Sequence, residues 1–387
     1  MPHPKKTGII VCLISFIGLY SFYSCKKTDA NNNTADPLAA LNLPATAYNY
    51  ANQPLPNYLR APNIAVQDNT PITNPITDWG ATLGRVLFYD KTISINNSVS
   101  CASCHKQNLS FADDRALSLG FAGGSTGRNS MSLVNVKYYL NRKFFWDERA
   151  GTLEIQALMP IQDHVEMGMN FDTLINRLKT KAHYPVLFQK AFGSQTITSD
   201  KIAAALAQFV RSIISFQSKF DAGRAVITPP LDPIQTPYPN FTLQENQGKQ
   251  LFFNSVTSCN ACHGSETFTA PEPKNNGVEN PSVDKGVGAI SNINAQIGNF
   301  KASSLKNIEL TAPYMHDGRF ITLEQVVEHY NSGIEAHPNL STQLRNPNGT
   351  PKRLNLTDDQ KAALVAFLKT LTDVAVTTDV KFSNPFK

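Results

Sequence analysis

The chain has 387 residues, 41% of them hydrophobic, and a formal net charge of +5 from 35 Lys and Arg against 30 Asp and Glu. That length supports two domains with buried cores. A charge balance this mild, with no basic run, gives no reason to invoke nucleic acid.

The first predicted element is an export signal. Lys5 and Lys6 precede an apolar stretch, residues 8–23, that is too short and too abruptly ended for a comfortable membrane span. Ser24 and Cys25 close it as a bacterial lipoprotein cleavage site does, although Phe22 is an unusual residue there. Ordinary signal cleavage or an uncleaved anchor are the alternatives. The expectation is an exported, periplasmic protein held at a membrane by a lipid on Cys25, with residues 1–24, Cys12 among them, removed. Residues 25–75 are rich in Asn, Pro, Thr and Ala without helical periodicity and read as a tether.

Two copies of one helical unit follow, over residues 76–224 and 242–375. Gly84-Arg85-Val86-Leu87-Phe88 and Gly248-Lys249-Gln250-Leu251-Phe252 each read as the end of a helix presenting Leu and Phe on one face. After each comes a Cys-x-x-Cys-His string, Cys101-Ala102-Ser103-Cys104-His105 and Cys259-Asn260-Ala261-Cys262-His263. Thiols at this spacing each form a thioether to one vinyl group of the same haem, and the His that follows binds its iron. A zinc ribbon gives no reason for a His after each pair, and structural disulfides rarely join cysteines three apart. Two covalently bound haem c groups are therefore expected. Each unit closes with a capped amphipathic helix. Thr198 to Lys201 lead into Ile202, Leu206, Phe209, Val210 and Ile213; Thr357 to Gln360 form a capping box ahead of Leu364, Phe367, Leu368 and Leu371. Between the units, residues 225–241 carry five prolines, which no helix or central strand survives, and read as a linker. With no strand-rich region, the fold class is mostly α, with two cytochrome c-like haem domains in tandem.

The second axial position decides what each iron does. After His263 the only methionine is Met315, whose thioether would favour ferrous iron and a high potential; His316 beside it competes, and His329 and His337 are weaker candidates. In the first unit no His lies between His105 and His164. Met131 sits in a stretch that reads as a buried helix start, and Met159, Met167 and Met169 are further candidate ligands. Glu166, between apolar Val165 and Met167, is an unusual carboxylate unless it serves a site, the alternative being a helix-terminus or surface group. An open position beside an acid–base group is a peroxidase arrangement.

These residues closely resemble the bacterial dihaem cytochrome c peroxidases and their relatives, including the dihaem maturase of methylamine utilisation. The resemblance runs from about Trp79 to Thr372. Besides the haem strings it rests on Leu83 to Asp90, Phe145-Trp146-Asp147-Glu148-Arg149-Ala150, Val165-Glu166-Met167-Gly168, Phe300-Lys301 to Asn307, and Tyr314-Met315-His316-Asp317-Gly318. It implies a low-potential N-terminal haem that reduces hydrogen peroxide and a Met315-ligated donor haem. Glu166 takes the place of the distal acid–base group and Gln156 that of the distal glutamine. Trp146 matches the tryptophan between the haems, a plain packing residue being the alternative. Asn129 matches the side chain that helps hold one calcium ion, with carbonyls near Gln296 and Gly298 completing that shell. The electron donor implied is a small cytochrome c or cupredoxin, and a homodimer is compatible with the family. One departure stands out: Phe121 occupies the place of the distal His that blocks the iron in well-studied members, so no reductive activation is expected unless His164 substitutes. Two other functions stay open, a non-catalytic dihaem electron carrier and a maturase-like oxidase acting on a partner protein. The maturase has tyrosine where Met315 stands, and Tyr314 next to it keeps that question alive.

Overall fold

The structure is a computed structural model that describes residues 36–387; the expected signal, with Cys12 and Cys25, lies outside the described residues. Among the described residues no helix is long and apolar enough to cross a membrane, and β structure is confined to isolated bridges. The longer helices are α1 (Asp78–Tyr89), α2 (Leu153–Gln162), α3 (Phe171–Lys179), α4 (His183–Phe192), α5 (Ser199–Ser212), α6 (Lys219–Val226), α7 (Leu243–Phe253) and α8 (Asp358–Lys369).

The duplication is visible in how these helices start and cross. Thr77 and Thr198 accept from the backbone N–H of Gly80 and Lys201 at the starts of α1 and α5, while full Thr-x-x-Glu/Gln boxes open α7 (Thr242, Glu245) and α8 (Thr357, Gln360). Helix α1 packs on α5 at Gly84, where a Cβ would lie 2.0 Å from the Ala205 carbonyl oxygen. Helix α7 packs on α8 at Gly248, where the same atom would lie 1.8 Å from the Ala363 oxygen. Both crossings are sealed by an aromatic pair: Phe88 and Phe209 have ring centroids 5.2 Å apart, Phe252 and Phe367 5.1 Å. Leu83, Leu87 and Leu206 extend the first core, and Phe268, Leu364 and Leu371 the second.

The connecting segments differ from expectation. Residues 36–75 are not a tether. Leu41, Tyr50, Leu59 and Ile64 are buried, Leu41 bridges to Phe386, and the Asp78 carboxylate accepts from the backbone N–H groups of Tyr50 and Ala51 at 2.8 and 2.9 Å. Two of its Asn residues are structural: Asn69 donates to the Val136 carbonyl and accepts from Arg211 Nε, and Asn74 donates to Glu154. Nor is 225–241 a free linker. It has no helix beyond Val226, but Tyr238 and Phe241 enter the second core. The carbonyls of Pro233, Ile234 and Thr236 accept from Lys249 Nζ at 3.0, 2.6 and 3.0 Å. Beyond residue 375 the chain returns to the first unit, placing Val376 and Phe382 in its core and the Val380 and Lys381 carbonyls on the Arg85 guanidinium.

Because the glycine contacts are backbone against backbone, neither crossing can accommodate a methyl without moving apart. Gly84→Ala and Gly248→Ala are each expected to lower stability by about 1–3 kcal/mol or more, more than the ~1 kcal/mol for removing the Thr198 cap. Thermal unfolding of the haem-loaded protein checks this; an alanine tolerated without loss at either glycine contradicts the tight crossing.

Candidate active site and its partner cavity

Each haem string folds as a short turn at the mouth of a cavity. Cys101–Cys104 forms one helical turn closed by a reciprocal Ser100–Ser103 box, and Cys259–Ala261 forms a 3₁₀ turn. All four cysteines are unpaired. Burial pushes the Cys101 and Cys104 thiols up to about 12 and about 11, and Cys259 to about 11. The next loop residue holding the histidine is a Phe in the left-handed region in both units, Phe111 (φ 59°) and Phe268 (φ 54°). Their carbonyls lie 2.9 Å from His105 Nδ1 and 3.3 Å from His263 Nδ1. That contact places the ring proton on Nδ1 and presents Nε2 as the ligating lone pair. Burial lowers both imidazoles, His263 to about 4, which keeps them in the neutral form a metal requires. Paired thiols, an oriented imidazole and apolar walls that include Phe88 and Leu206 in one unit and Phe252 and Leu364 in the other fit haem c. Among the described residues no group of three or more His, Cys, Asp or Glu is placed to hold a metal ion.

The two cavities differ in the other residues that line them. Met315 lines the second, in a left-handed conformation (φ 75°), with its sulfur 3.3 Å from the Asn276 amide nitrogen. His316 also borders this cavity, but its ring is stacked on Phe300 at 3.8 Å and 11°. His329 and His337 are outside the lining; His329 Nε2 is taken by the Asn276 carbonyl, and the His337 nitrogens by Asn275 and Ser282. The Tyr314 hydroxyl donates to the Ile308 carbonyl at 3.0 Å.

The first cavity gathers Glu166, Gln156 and Trp146 with Met131, Met167 and Arg149. Residues 128–133 form no helix, so Met131 lies on an extended wall rather than at a helix start. Met159, Met169, Phe121 and His164 are not in the lining, and His164 is exposed. Glu166 is held by its backbone: Asp163 Oδ1 accepts from the N–H groups of Val165 and Glu166 at 2.8 and 3.0 Å, and the Glu166 carbonyl accepts from Phe121 N–H at 2.9 Å. Burial, reinforced by the Asp163 charge and opposed by Arg149, pushes the Glu166 carboxyl up to about 7. The Arg149 guanidinium lies 3.6 Å from the Phe145 ring centroid and bonds Asp147. Trp146 borders both cavities, and its indole N–H donates to the Asn129 carbonyl at 2.8 Å.

A profile of the di-haem cytochrome c peroxidase family matches residues 79–225. Over 303 residues the chain is 33% identical to the methylamine utilization protein MauG of Methylorubrum extorquens, covering 78% of this chain and 80% of that protein. It belongs to the dihaem cytochrome c peroxidase and MauG family. The cytochrome c551 peroxidase of Nitrosomonas europaea is 30% identical over 320 residues, covering 81% and 85% of the two chains. Among solved structures, a MauG-like protein associated with microbial copper homeostasis superposes with a TM-score of 0.74 at 31% identity, covering 86% of this chain and 99% of that one. A diheme peroxidase from Burkholderia thailandensis shares the fold at 23% identity and a TM-score of 0.64, covering 83% and 93%.

Asn129, the residue expected to help hold calcium, donates from Nδ2 to the carbonyls of Arg115 and Ala116 at 3.1 and 3.2 Å. Asp163 and Arg149 are site residues to which the sequence alone assigned no role. Asp163 carried a signal, an Asp whose side chain caps a turn two and three residues ahead.

If the Met315 sulfur is the ligand, Met315→Leu lowers the potential of one haem and changes its low-spin spectrum, while His316→Ala leaves that spectrum in place. Redox titration and electronic spectra of the two variants decide it, and the reverse pattern transfers the role to His316.

Proposed function

We propose that the chain is an exported dihaem peroxidase that reduces hydrogen peroxide to two waters in the first cavity, with two electrons from a small cytochrome c or cupredoxin and two protons from solvent. The observation that carries this reading is Glu166, a carboxyl pushed up to about 7 in the cavity of His105, where neither Phe121 nor His164 intrudes. When bound, haem c supplies the redox-active iron at which peroxide is reduced and the store from which single electrons pass. Glu166 takes the proton of the incoming peroxide and returns it to the oxygen that leaves as water, a shuttle that a group near 7 performs at neutral pH. The Gln156 amide orients peroxide and water, and the Arg149 guanidinium offsets negative charge at the cavity wall. Trp146 spans the wall between the two cavities and is the path for the second electron, which the Met315-ligated site holds in reserve. Export and the lipid anchor at Cys25 belong to the same proposal, and what supports them is the charged start, the apolar stretch and the Ser24-Cys25 pair at the N-terminus.

A second reading, oxidation of a partner protein, is favoured by the 33% identity to a MauG, similar to that with the peroxidases. Met315 speaks for the peroxidase.

Glu166→Gln is expected to lower steady-state peroxide turnover, assayed with a reduced cytochrome c and a synthetic donor, by about 10²–10⁴-fold while both haem spectra stay near parental. The parent rate should fall as pH drops through about 7, because the proton-accepting form is the carboxylate, and the Gln variant should lose that limb. A variant keeping more than half the parent rate removes Glu166 from the chemistry. If peroxide turnover is absent in the parent while a partner protein is oxidised, the second reading replaces the first.

The resting state gives an independent check. With Phe121 in place of a blocking ligand, the fully oxidised, haem-loaded protein should show one high-spin and one low-spin haem and react with peroxide without prior reduction. Two low-spin haems, with reactivity appearing only after one-electron reduction, would mean another residue gates the cavity.

A further inference from the structure

Three lysines are buried among the described residues, and two of them are satisfied. Lys306 is ion-paired with Asp221 at 2.6 Å, and Lys249 donates to three carbonyls at 2.6 to 3.0 Å. Lys301, 4% exposed, is the exception. Its Nζ has one long contact, 3.4 Å to the Lys143 carbonyl, and otherwise faces the rings of Tyr139 and Phe144 at 4.0 and 4.7 Å. Glu148 is the nearest acidic influence, but its oxygens are spent on the Tyr139 hydroxyl and the Asn141 amide. Burial pushes the Lys301 ammonium down to about 7. An ammonium taken out of water without an anion costs several kcal/mol, so a chain that keeps one there has a use for it.

Its position says what that use is. Lys301 and Trp146 are the two residues that border both cofactor cavities. The other cations at these walls serve one cavity each: Arg128 and Arg149 the first, Lys274 and Lys352 the second. Arg128 and Arg149 are already held by carboxylates, Asp147 and Asp284. A haem c carries two propionate carboxylates on the edge opposite the vinyl groups, and the cysteines fix the vinyl edge. Two such groups bring anionic edges to this fold, and Lys301 is the buried cation without an anion.

We propose that the Lys301 ammonium is a shared anchor for the propionates of both haems and thereby couples the electrostatics of the two redox centres. The inference rests on the two haems and not on peroxide turnover. A positive charge beside both groups favours the reduced form of each, so removing it lowers both potentials together. A residue that only filled space, or that served one haem, would not do this.

The test is a redox titration of the haem-loaded full chain, following the high-spin and low-spin signals separately, for Lys301→Met, Lys301→Gln and Lys301→Arg. Met keeps the length of the side chain without the charge, Gln serves if Met fails to load haem, and Arg retains the charge. The expected result is a downward shift of both midpoints in the neutral variants, with haem content of two per chain by mass, and midpoints near parental in Lys301→Arg. A shift in one haem alone, or in neither, overturns the shared anchor. Because turnover is not the readout, the outcome stands whether or not peroxide proves to be the substrate.

Discussion

The two cavities depend on a seam of three hydrogen bonds that fixes their common wall. Asn129 N–H donates to the His316 carbonyl, the Trp146 indole N–H to the Asn129 carbonyl, and Lys301 N–H to the Trp146 carbonyl, each at 2.8 Å. The first and third join the wall of the first unit to residues 301 and 316 of the second, and the indole bond ties Asn129 to Trp146 within the first. Arg128 braces the same seam, bonded to Asp147 in the first unit and Asp284 in the second. Side-chain packing alone would let the units slide; directional bonds to backbone groups set their register. Met315 is the neighbour of a seam residue on one side, and Trp146 is itself one, so the seam fixes how the two lining segments sit together.

Around that seam the chain uses one construction twice and then breaks the symmetry. The glycine crossings, the aromatic pairs and the left-handed Phe that holds each ligating His are common to both units. They set the floor of each cavity. The differences lie in the rest of the lining, where the first unit offers a carboxyl near neutrality and the second a thioether. Fold duplication therefore accounts for two haem strings, and the differing lining residues account for two unlike sites.

Much of this was legible from residue types and spacing. The Cys-x-x-Cys-His strings, the Thr caps and the Gly-to-Phe helix ends are local signals whose chemistry depends on neighbours three or four positions away, and the structure uses them as such. What the sequence hid is non-local. Leu41 and Tyr50 pack with the first core and the C-terminal segment, and Ile64, in a short helical turn, packs with Tyr138 and Ile214, so their spacing has no period and composition alone points to a tether. The five prolines of 225–241 did exclude a helix, but nothing local shows that Tyr238 and Phe241 turn inward. Lys301 was hidden for the same reason, since its burial is created by residues from Tyr139 to Phe144, more than 150 positions earlier in the chain.

The loop carrying Phe121 shows why the first cavity stays open. This loop comes so close to the acid–base turn that a Cβ on Gly120 would lie 1.6 Å from the Val165 carbonyl oxygen, and Phe121 N–H binds the Glu166 carbonyl. The Phe121 ring is turned against Gly168 on the far side of that turn, where φ is 61°. Asp163 holds the turn from within through the N–H groups of Val165 and Glu166. The segment that would have to move inward to supply a blocking ligand is therefore the segment that holds Glu166 in place. Occupying the cavity from position 121 would require the Phe121–Glu166 bond to break and the carboxyl to lose its support. Phe121 and Glu166 are in this way held by one hydrogen-bonded segment, so that neither can be displaced without disturbing the other.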